Sequence, residues 1–271
     1  MVVLRQKQFM KMCIVLVLLL MTISIVYLIT LPERDPKWLI IGKSIEFFSP
    51  SLYEGFKKRQ QESRLQWFEN VAQKTDIPLH AASGWGYMSE EEYNNMVYHV
   101  LNKMPIKEKD SVFELGCGVG AVLQFIKSTY GETVSIGGSD LSVQAIAKIQ
   151  KVFSGDATNF FVASMSEKNE HIMDNAKDHV ISFGALAMYL YKEEMLKALE
   201  EAIRISKPGG HMCFTHFIEP NGKLKGSILE PIEKSFWPLI ANQYSLENLI
   251  IEQMLYQKDR YFVCFSKKVS G

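Results

Sequence analysis

The sequence has no surplus of charge. Its 271 residues carry 30 Lys+Arg and 30 Asp+Glu, whereas a chain that binds nucleic acid would show a basic face. Cysteine is scarce, and four residues are too few for a disulfide scaffold. Glycine (17) and proline (9) are too few for a collagenous or disordered chain. There is no Asn-x-Ser/Thr sequon, no low-complexity tract and no internal repeat. With 47% hydrophobic residues, the composition is that of an ordinary globular protein long enough for one substantial core.

Charge is also missing locally. From Met12 to Leu31 no residue carries one, and only Thr22, Ser24 and Thr30 interrupt the apolar run. A helix of that length spans roughly 30 Å, the thickness of a bilayer core. A buried core helix would show a polar face, which this run lacks, so residues 12–31 are expected to form a transmembrane helix that anchors the chain. The rival is a cleaved signal peptide, whose apolar stretch is about 7–15 residues and ends in an Ala-x-Ala-like site. Thr30-Leu31-Pro32 offers no such site. Arg5, Lys7 and Lys11 precede the span and Arg34, Lys37 and Lys43 follow it, so the basic flanks leave the orientation open. Cys117, Cys213 and Cys264 are scattered, which is compatible with a cytosol-facing domain. The expected location is an endomembrane, with the side of the domain undecided. Residues 1–31 contain three basic and no acidic residues, so the remainder carries a formal charge of −3.

A linker with the apolar patch Trp38-Leu39-Ile40-Ile41 follows. Pro50 then opens a helical stretch that places Leu52, Phe56, Leu65, Phe68, Val71 and Ala72 on one face. Ser89-Glu90-Glu91-Glu92 has the capping-box spacing and starts another helix, expected to run to about Met104. From Asp110 onward, short apolar runs alternate with helical stretches. Strands are predicted at 111–115, 133–137, 159–163, 179–183 and 211–217, and helices at 119–130, 142–153 and 192–205. This alternation means a parallel α/β sheet. The runs 249–256 and 260–265, separated by Gln257-Lys258-Asp259, read as a terminal antiparallel hairpin. The expected organisation is an anchor over 1–31, a linker and helical extension over 32–109, and a Rossmann-like, mostly parallel seven-stranded domain over 110–271.

The most informative segment is Val112-Phe-Glu-Leu-Gly-Cys-Gly-Val-Gly-Ala121, an apolar strand running into alternate glycines and then a helix. Such a loop turns sharply, lets a ligand approach the backbone and sets the free N–H groups of the helix beside it. Gly116-x-Gly118-x-x-Ala121 satisfies the dinucleotide fingerprint, so a nicotinamide-dependent oxidoreductase is one alternative. Glu114, two residues before the first glycine, gives E-x-G-x-G-x-G instead. Here the sequence resembles the class I S-adenosylmethionine-dependent methyltransferases, and the resemblance extends in the expected order to the C-terminus. Gly137-Gly-Ser-Asp140 is similar to the family's second-strand end, Asp178-His-Val-Ile-Ser-Phe-Gly184 to its fourth-strand motif and Ile205-Ser-Lys-Pro-Gly-Gly210 to its turn into strand five.

The resemblance implies S-adenosyl-L-methionine as cofactor, held by Glu114, Gly116, Cys117, Gly118 and Gly120 in the first motif. Asp140 and Leu141 would hold the ribose, and Ser182, Phe183 and Gly184 would lie near the transferred methyl. The family often carries an acidic residue after strand three for the adenine; this chain has Ser164 and Met165 there, and they take that role, while Asp156 reads as a turn residue. Ala82-Ser-Gly-Trp-Gly-Tyr-Met-Ser89 looks like the lid of small-molecule methyltransferases, with Tyr87 closing over the cofactor, or else a plain loop packed by Trp85. His216 at the end of strand five and Tyr189 after strand four are the catalytic candidates, each weighed against a structural role, and Tyr191 lies beside the latter. Glu219 either binds a cationic acceptor or faces solvent. No Cys/His grouping has metal-ligand spacing. The expected enzyme is a membrane-anchored methyltransferase acting on an O, N or S atom of a small or lipid-like acceptor. A tethered, non-catalytic protein that keeps the fold is the third reading.

Overall fold

Val112, Phe113 and Leu115 make a run with little polar alternation, the pattern of a strand buried on both faces. They lie in β1 (Ser111–Leu115), inside a seven-stranded sheet of order β3-β2-β1-β4-β5-β7-β6. The computed structural model describes residues 50–74, 77–218 and 232–269. The anchor over 12–31, the patch Trp38–Ile41 and Glu219 lie outside the described residues. Among the described residues no helix is long and apolar enough to cross a membrane. The described residues from Lys57 onward belong to one compact unit, and Pro50–Phe56 cluster with another.

β2 (Ser135–Asp140), β3 (Phe160–Val162), β4 (Lys177–Ser182) and β5 (Ser206–Ile218) run parallel with β1. β7 (Gln257–Lys267) runs antiparallel between β5 and β6 (Leu246–Met254). This is the Rossmann-like sheet with a C-terminal antiparallel pair that the sequence predicts. Helices cover both faces. On one side Leu123 and Ile126 of α3 (Ala121–Tyr130) and Ile146 and Ile149 of α4 (Val143–Val152) pack with Val97 and Leu101 of α2 (Glu90–Leu101). On the other, Met195, Leu199 and Ile205 of α6 (Lys192–Ile205) meet Trp237 and Ile240 of α7 (Phe236–Gln243). A short helix, α5 (Ala185–Tyr189), follows β4.

Several boundaries differ from expectation. α2 begins at the predicted capping box, with Ser89 and Glu92 bonding reciprocally, but it stops at Leu101. β2 extends past the glycines because they are packed against neighbours: a Cβ on Gly137 would meet the Asn159 carbonyl at 2.8 Å, and one on Gly138 would meet Cys117 at 2.7 Å. The terminal turn is Leu255-Tyr256, with Tyr256 at φ 63°, so Gln257 belongs to β7 and not to the turn. The cysteines are not all scattered. Cys213 and Cys264 face each other directly in β5 and β7 and form a disulfide. Such bonds persist in oxidising compartments, so cysteine usage no longer speaks for a cytosol-facing domain.

α1 (Pro50–Ala72) is tied to the compact unit by two residues of its later turns. Gln61 Nε2 donates to both carboxylate oxygens of Glu194 in α6, at 2.7 and 2.9 Å. The Glu69 carboxylate accepts the backbone N–H groups of Val143 and Gln144, at 2.9 and 3.1 Å. The Ser142 hydroxyl accepts from Ala145 N–H in the same first turn of α4. Three donors that a helix start leaves unpaired are thereby satisfied, two of them by a carboxylate at the positive end of the helix dipole.

Candidate functional site

In an open α/β sheet, ligands bind beyond the carboxyl ends of the strands where the strand order reverses. Here that point lies between β1, followed by β2 on one side, and β4 on the other. A groove of about 720 Å³ beside Lys127, Val134, Ser135, Phe153 and Asp156 lies instead at the amino end of β2, away from this point.

The glycine loop has Gly116, Gly118 and Gly120 at φ 72°, 51° and 86°, the left-handed region that glycine enters without strain. Gly116 is also sterically obligatory, because a Cβ there would come within 2.2 Å of Ala185 Cβ. The Gly116 and Cys117 N–H groups donate to the Ser139 carbonyl, at 2.8 and 3.0 Å. Asp140 holds the next part: Oδ2 accepts Gly118 N–H at 2.8 Å, and Oδ1 accepts Ser142 N–H at 2.8 Å. Each oxygen keeps a lone pair for a ligand hydroxyl. Burial raises the pKa of Asp140, the two N–H groups work against that rise, and the Glu69 charge adds to it.

Glu114 is buried at the end of β1. Burial lifts its pKa well above the usual carboxylate range, and the Asp140 charge lifts it further, while the Phe183 N–H donates to the carboxylate. Its Oε2 has no hydrogen-bond partner among the described residues, and neither do the buried Tyr93 hydroxyl and Ser83 Oγ. Ser83 Oγ faces Gly118, 3.8 Å from where a Cβ would sit. The Tyr93 pKa is raised well above normal by burial and then by the Glu114 charge, which places the two groups together. Unpaired buried polar atoms are rare in folded proteins and call for an explanation. A carboxylate acceptor and two hydroxyls around one glycine loop can receive a ligand end that carries both an ammonium and a carboxylate.

A second wall faces this loop. His216 is fully buried at the end of β5, at φ 71°, where the β5/β7 register shifts between Phe214 and Phe217. A histidine held in that backbone region stores strain of about 1–3 kcal/mol, which the surrounding packing must offset. Its ring lies 4.3 Å from that of Trp85 and 5.6 Å from that of Phe183. Nδ1 pairs with Thr215 Oγ1 at 2.5 Å, and Nε2 lies 3.4 Å from Gln257 Nε2. A Gln257 N–H directed at Nε2 requires the tautomer with the proton on Nδ1, so the Nε2 lone pair points toward Gln257. Burial drops the His216 pKa well below its ordinary value and the nearby Arg260 drops it further, so the ring is neutral at physiological pH.

The structure brings Glu114, Gly116, Cys117, Gly118, Gly120 and Asp140 together, with Met165 Cε 2.8 Å from a Cβ on Gly116 and Trp85 2.9 Å from a Cβ on Gly184. Phe183 reaches the site through both its backbone and its ring. Leu141, half exposed, and Ser164, whose hydroxyl bonds Ser166, sit after β2 and β3 respectively. The Ser182 hydroxyl accepts from Leu186 N–H at 3.1 Å and so caps α5. Cys117 is buried, with a thiol pKa pushed up by burial and by the Asp140 and Glu114 charges, so it is a small packing residue and not a nucleophile. The Tyr189 ring packs edge-on against Phe68 at 5.3 Å, and Tyr191 donates its N–H to Glu194 at the start of α6. Tyr87 is exposed and accepts from Gln257 at 3.1 Å. Among the described residues no group of His, Cys, Asp and Glu could hold a metal ion.

Sequence reasoning missed Ser83, Tyr93, Gln257 and Arg260. Ser83 and Tyr93 look like loop and core residues until the turn Ala81–Trp85 sets Ser83 beside Gly118 and the helix Glu90–Leu101 sets Tyr93 near Glu114. Gln257 and Arg260 read as turn and hairpin strand. The only signal for them is polar residues at the start of a strand that pairs with the His216 strand.

Comparison with known proteins agrees with this geometry. Residues 112–210 match the family model of the methyltransferase domain. A phosphoethanolamine N-methyltransferase of Triticum aestivum is 29% identical over 117 residues, which is 42% of this chain and 22% of that protein. The chain therefore spans about a fifth of the length of that curated relative. Among solved structures, a putative methyltransferase in complex with the Trm112 activator of Haloferax volcanii superposes with TM-score 0.54 at 18% identity, covering 67% of this chain and 92% of the other. A Haemonchus contortus phosphoethanolamine N-methyltransferase 2, with phosphomonomethylethanolamine and S-adenosylhomocysteine, gives 0.54 at 15% identity, covering 74% and 60%. These likenesses establish a shared fold.

Proposed function

We propose that this chain, whose residues 112–210 match a methyltransferase-domain family model, is a class I S-adenosylmethionine-dependent enzyme that moves the methyl group of S-adenosylmethionine to a nitrogen atom of a small acceptor. The observation that carries this reading is the buried Glu114, with its partnerless Oε2, beside Tyr93 and Ser83. The cofactor's amino-acid end presents an ammonium to that carboxylate and a carboxylate to those hydroxyls. Asp140 would suit the ribose of either cofactor class, but a dinucleotide would set a pyrophosphate at this loop and bring no cation to the partnerless Oε2 of Glu114. Nitrogen is chosen because the curated relatives are named as N-methyltransferases. Residues 12–31 would anchor the enzyme to a membrane.

Bound there, the cofactor supplies an electrophilic methyl group on a cationic sulfur. The protein contributes position. Gly116, Gly118 and Gly120 let the backbone approach, Asp140 holds the ribose hydroxyls, and Trp85 and Phe183 enclose the His216 ring and keep water out. Fixing an acceptor in line accounts for roughly 7–11 kcal/mol of such a barrier. The acceptor N–H would take the place of the Gln257 N–H at the Nε2 lone pair of His216 and so orient the nitrogen lone pair toward the methyl. The depressed pKa of His216 suits this hydrogen-bonding role better than long-lived storage of a proton.

Calorimetry on the full chain tests the cofactor: S-adenosylmethionine and S-adenosylhomocysteine are expected to bind and NADH is not. Binding of NADH alone would return the oxidoreductase alternative. Replacing His216 by alanine is expected to lower turnover 10- to 100-fold, while S-adenosylhomocysteine affinity stays within about twofold. Undiminished turnover would reduce His216 to a packing residue, and binding without turnover in the unaltered chain would favour the non-catalytic reading.

A further inference from the structure

Arg260 is the one cation placed against the His216 wall whose charge no described carboxylate neutralises. It lies on β7 opposite Ile218, and its Nη1 donates to the His216 carbonyl oxygen at 3.2 Å. That bond uses one of five guanidinium N–H groups. No ion pair joins Arg260 to a carboxylate among the described residues; the charges that act on it come from Tyr87, Tyr189 and its exposed neighbour Asp259. Burial lowers its pKa, so the charge is held partly away from water. A partly desolvated guanidinium with no counter-ion among the described residues is unfavourable until an anion arrives. Elsewhere in the domain Arg204 pairs with Glu201 and Asp174, and Lys207 with Asp178. Lys177 lies over the Phe113 ring and Lys267 bonds Asn175 and the Ile203 and Ser206 carbonyls, at the opposite end of the sheet strands from His216.

The groups around Arg260 are donors. Gln257 Nε2 donates to the Tyr87 hydroxyl oxygen at 3.1 Å, which leaves the Tyr87 proton for a further acceptor. The same amide reaches His216 Nε2 at 3.4 Å, so this cluster borders the atom that orients the acceptor nitrogen. A carboxylate takes its hydrogen bonds within one plane. A phosphate sets its terminal oxygens, three in a monoester and two in a diester, tetrahedrally about phosphorus with the ester oxygens as further acceptors, which suits a planar guanidinium fork joined by separate hydroxyl and amide donors.

We infer that Arg260, with the Tyr87 hydroxyl and the Gln257 amide, is an anion subsite for the acceptor, and that the acceptor is an amine carrying a phosphate group. This rests on the methyltransferase reading and deepens it by assigning the substrate class to a residue outside the cofactor loop. The phosphate is either a free monoester or the diester of a lipid headgroup, and both place one anionic group a few bonds from the nitrogen.

The test is calorimetric titration of the full chain, with and without S-adenosylhomocysteine, using phosphoethanolamine, glycerophosphoethanolamine, ethanolamine and inorganic phosphate. At least one of the two phosphorylated amines is expected to bind more than tenfold tighter than ethanolamine. Arg260→Gln is expected to remove that preference, and Arg260→Lys to restore part of it through the charge without the fork. Preference for phosphoethanolamine identifies a soluble monoester, and preference for glycerophosphoethanolamine identifies a lipid headgroup. Equal binding of ethanolamine and both phosphorylated amines, or an Arg260→Gln variant that keeps the preference, would overturn the subsite. Unchanged S-adenosylhomocysteine affinity in Arg260→Gln shows that the variant is folded. Failure of the unaltered chain to bind S-adenosylhomocysteine would instead sink the methyltransferase reading, whatever the phosphate titrations give.

Discussion

Replacing Gly116 by alanine is expected to abolish measurable cofactor binding and to lower the melting temperature by roughly 5–15 °C. Two effects add. Gly116 sits at φ 72°, where a residue with a Cβ is strained by about 1–3 kcal/mol. The new methyl would also stand 2.2 Å from Ala185 Cβ and 2.8 Å from Met165 Cε. Met165 can change rotamer, but an alanine has no rotamer to change, so β1 and α5 must separate at the backbone, an overpacking penalty of about 1–3 kcal/mol. The sum is a sizeable part of the 5–15 kcal/mol that holds a domain folded, and each kcal/mol moves a domain of this size by about 2–4 °C. Gly131 is the comparison: at φ 97° and ψ 162°, with nothing within 4 Å of a Cβ, Gly131→Ala carries backbone strain of its own but no clash. Thermal melting and calorimetry on both variants check this. Equal, small effects would show that the close approach of Ala185 does not constrain the loop.

Asp140→Ala is expected to weaken S-adenosylmethionine binding roughly 100-fold, from about 1.5 kcal/mol for each of two hydrogen bonds from ribose hydroxyls to a charged acceptor. The variant also strips Gly118 N–H and Ser142 N–H of their acceptor, so loop order suffers together with affinity. Asp140→Asn keeps one carbonyl oxygen and is expected to fall in between. The pKa of Asp140 is raised by burial, so in the free protein it takes up a proton at a higher pH than an exposed aspartate. Protonation removes the charged acceptor, and affinity falls as the solution is acidified through that range. Calorimetry across pH reads both effects. Affinity within twofold of the unaltered chain in Asp140→Ala would remove it from the ribose site.

Much of this site was legible because its chemistry sits in short local patterns. The E-x-G-x-G-x-G run places Glu114 and its glycines by spacing alone, and Asp140 follows at a strand end fixed by the pattern of apolar runs. The two strand-helix units around them fold locally, so their boundaries came within a few residues. What was not legible depends on contacts between distant segments. Tyr93 has the look of a buried face of a capped helix, and only the tertiary packing of that helix brings its hydroxyl near Glu114. Gln257 reads as a turn residue because Gln-Lys-Asp is polar, and a positive φ at Tyr256 moves the turn two residues earlier. The pairing of Cys213 with Cys264 follows from the β5/β7 register, across a sequence separation of 51. Glu69 shows the same limit: it belongs to none of the motifs, yet its carboxylate closes the first turn of α4.

The strand nearest the C-terminus is an inner strand of the sheet. β7 lies between β5 and β6, so until residues 257–267 have left the ribosome, β5 presents an unpaired edge and β6 has no partner at all. An exposed edge of this length invites pairing with other chains, which makes the unfinished domain dependent on protection during synthesis. Gln257 and Arg260 travel with that strand, and so does one half of the disulfide. The glycine loop can therefore be assembled well before the acceptor wall exists, and a chain stopped short of its last fifteen residues or so would keep the motifs that identify it while lacking the surface that selects what is methylated.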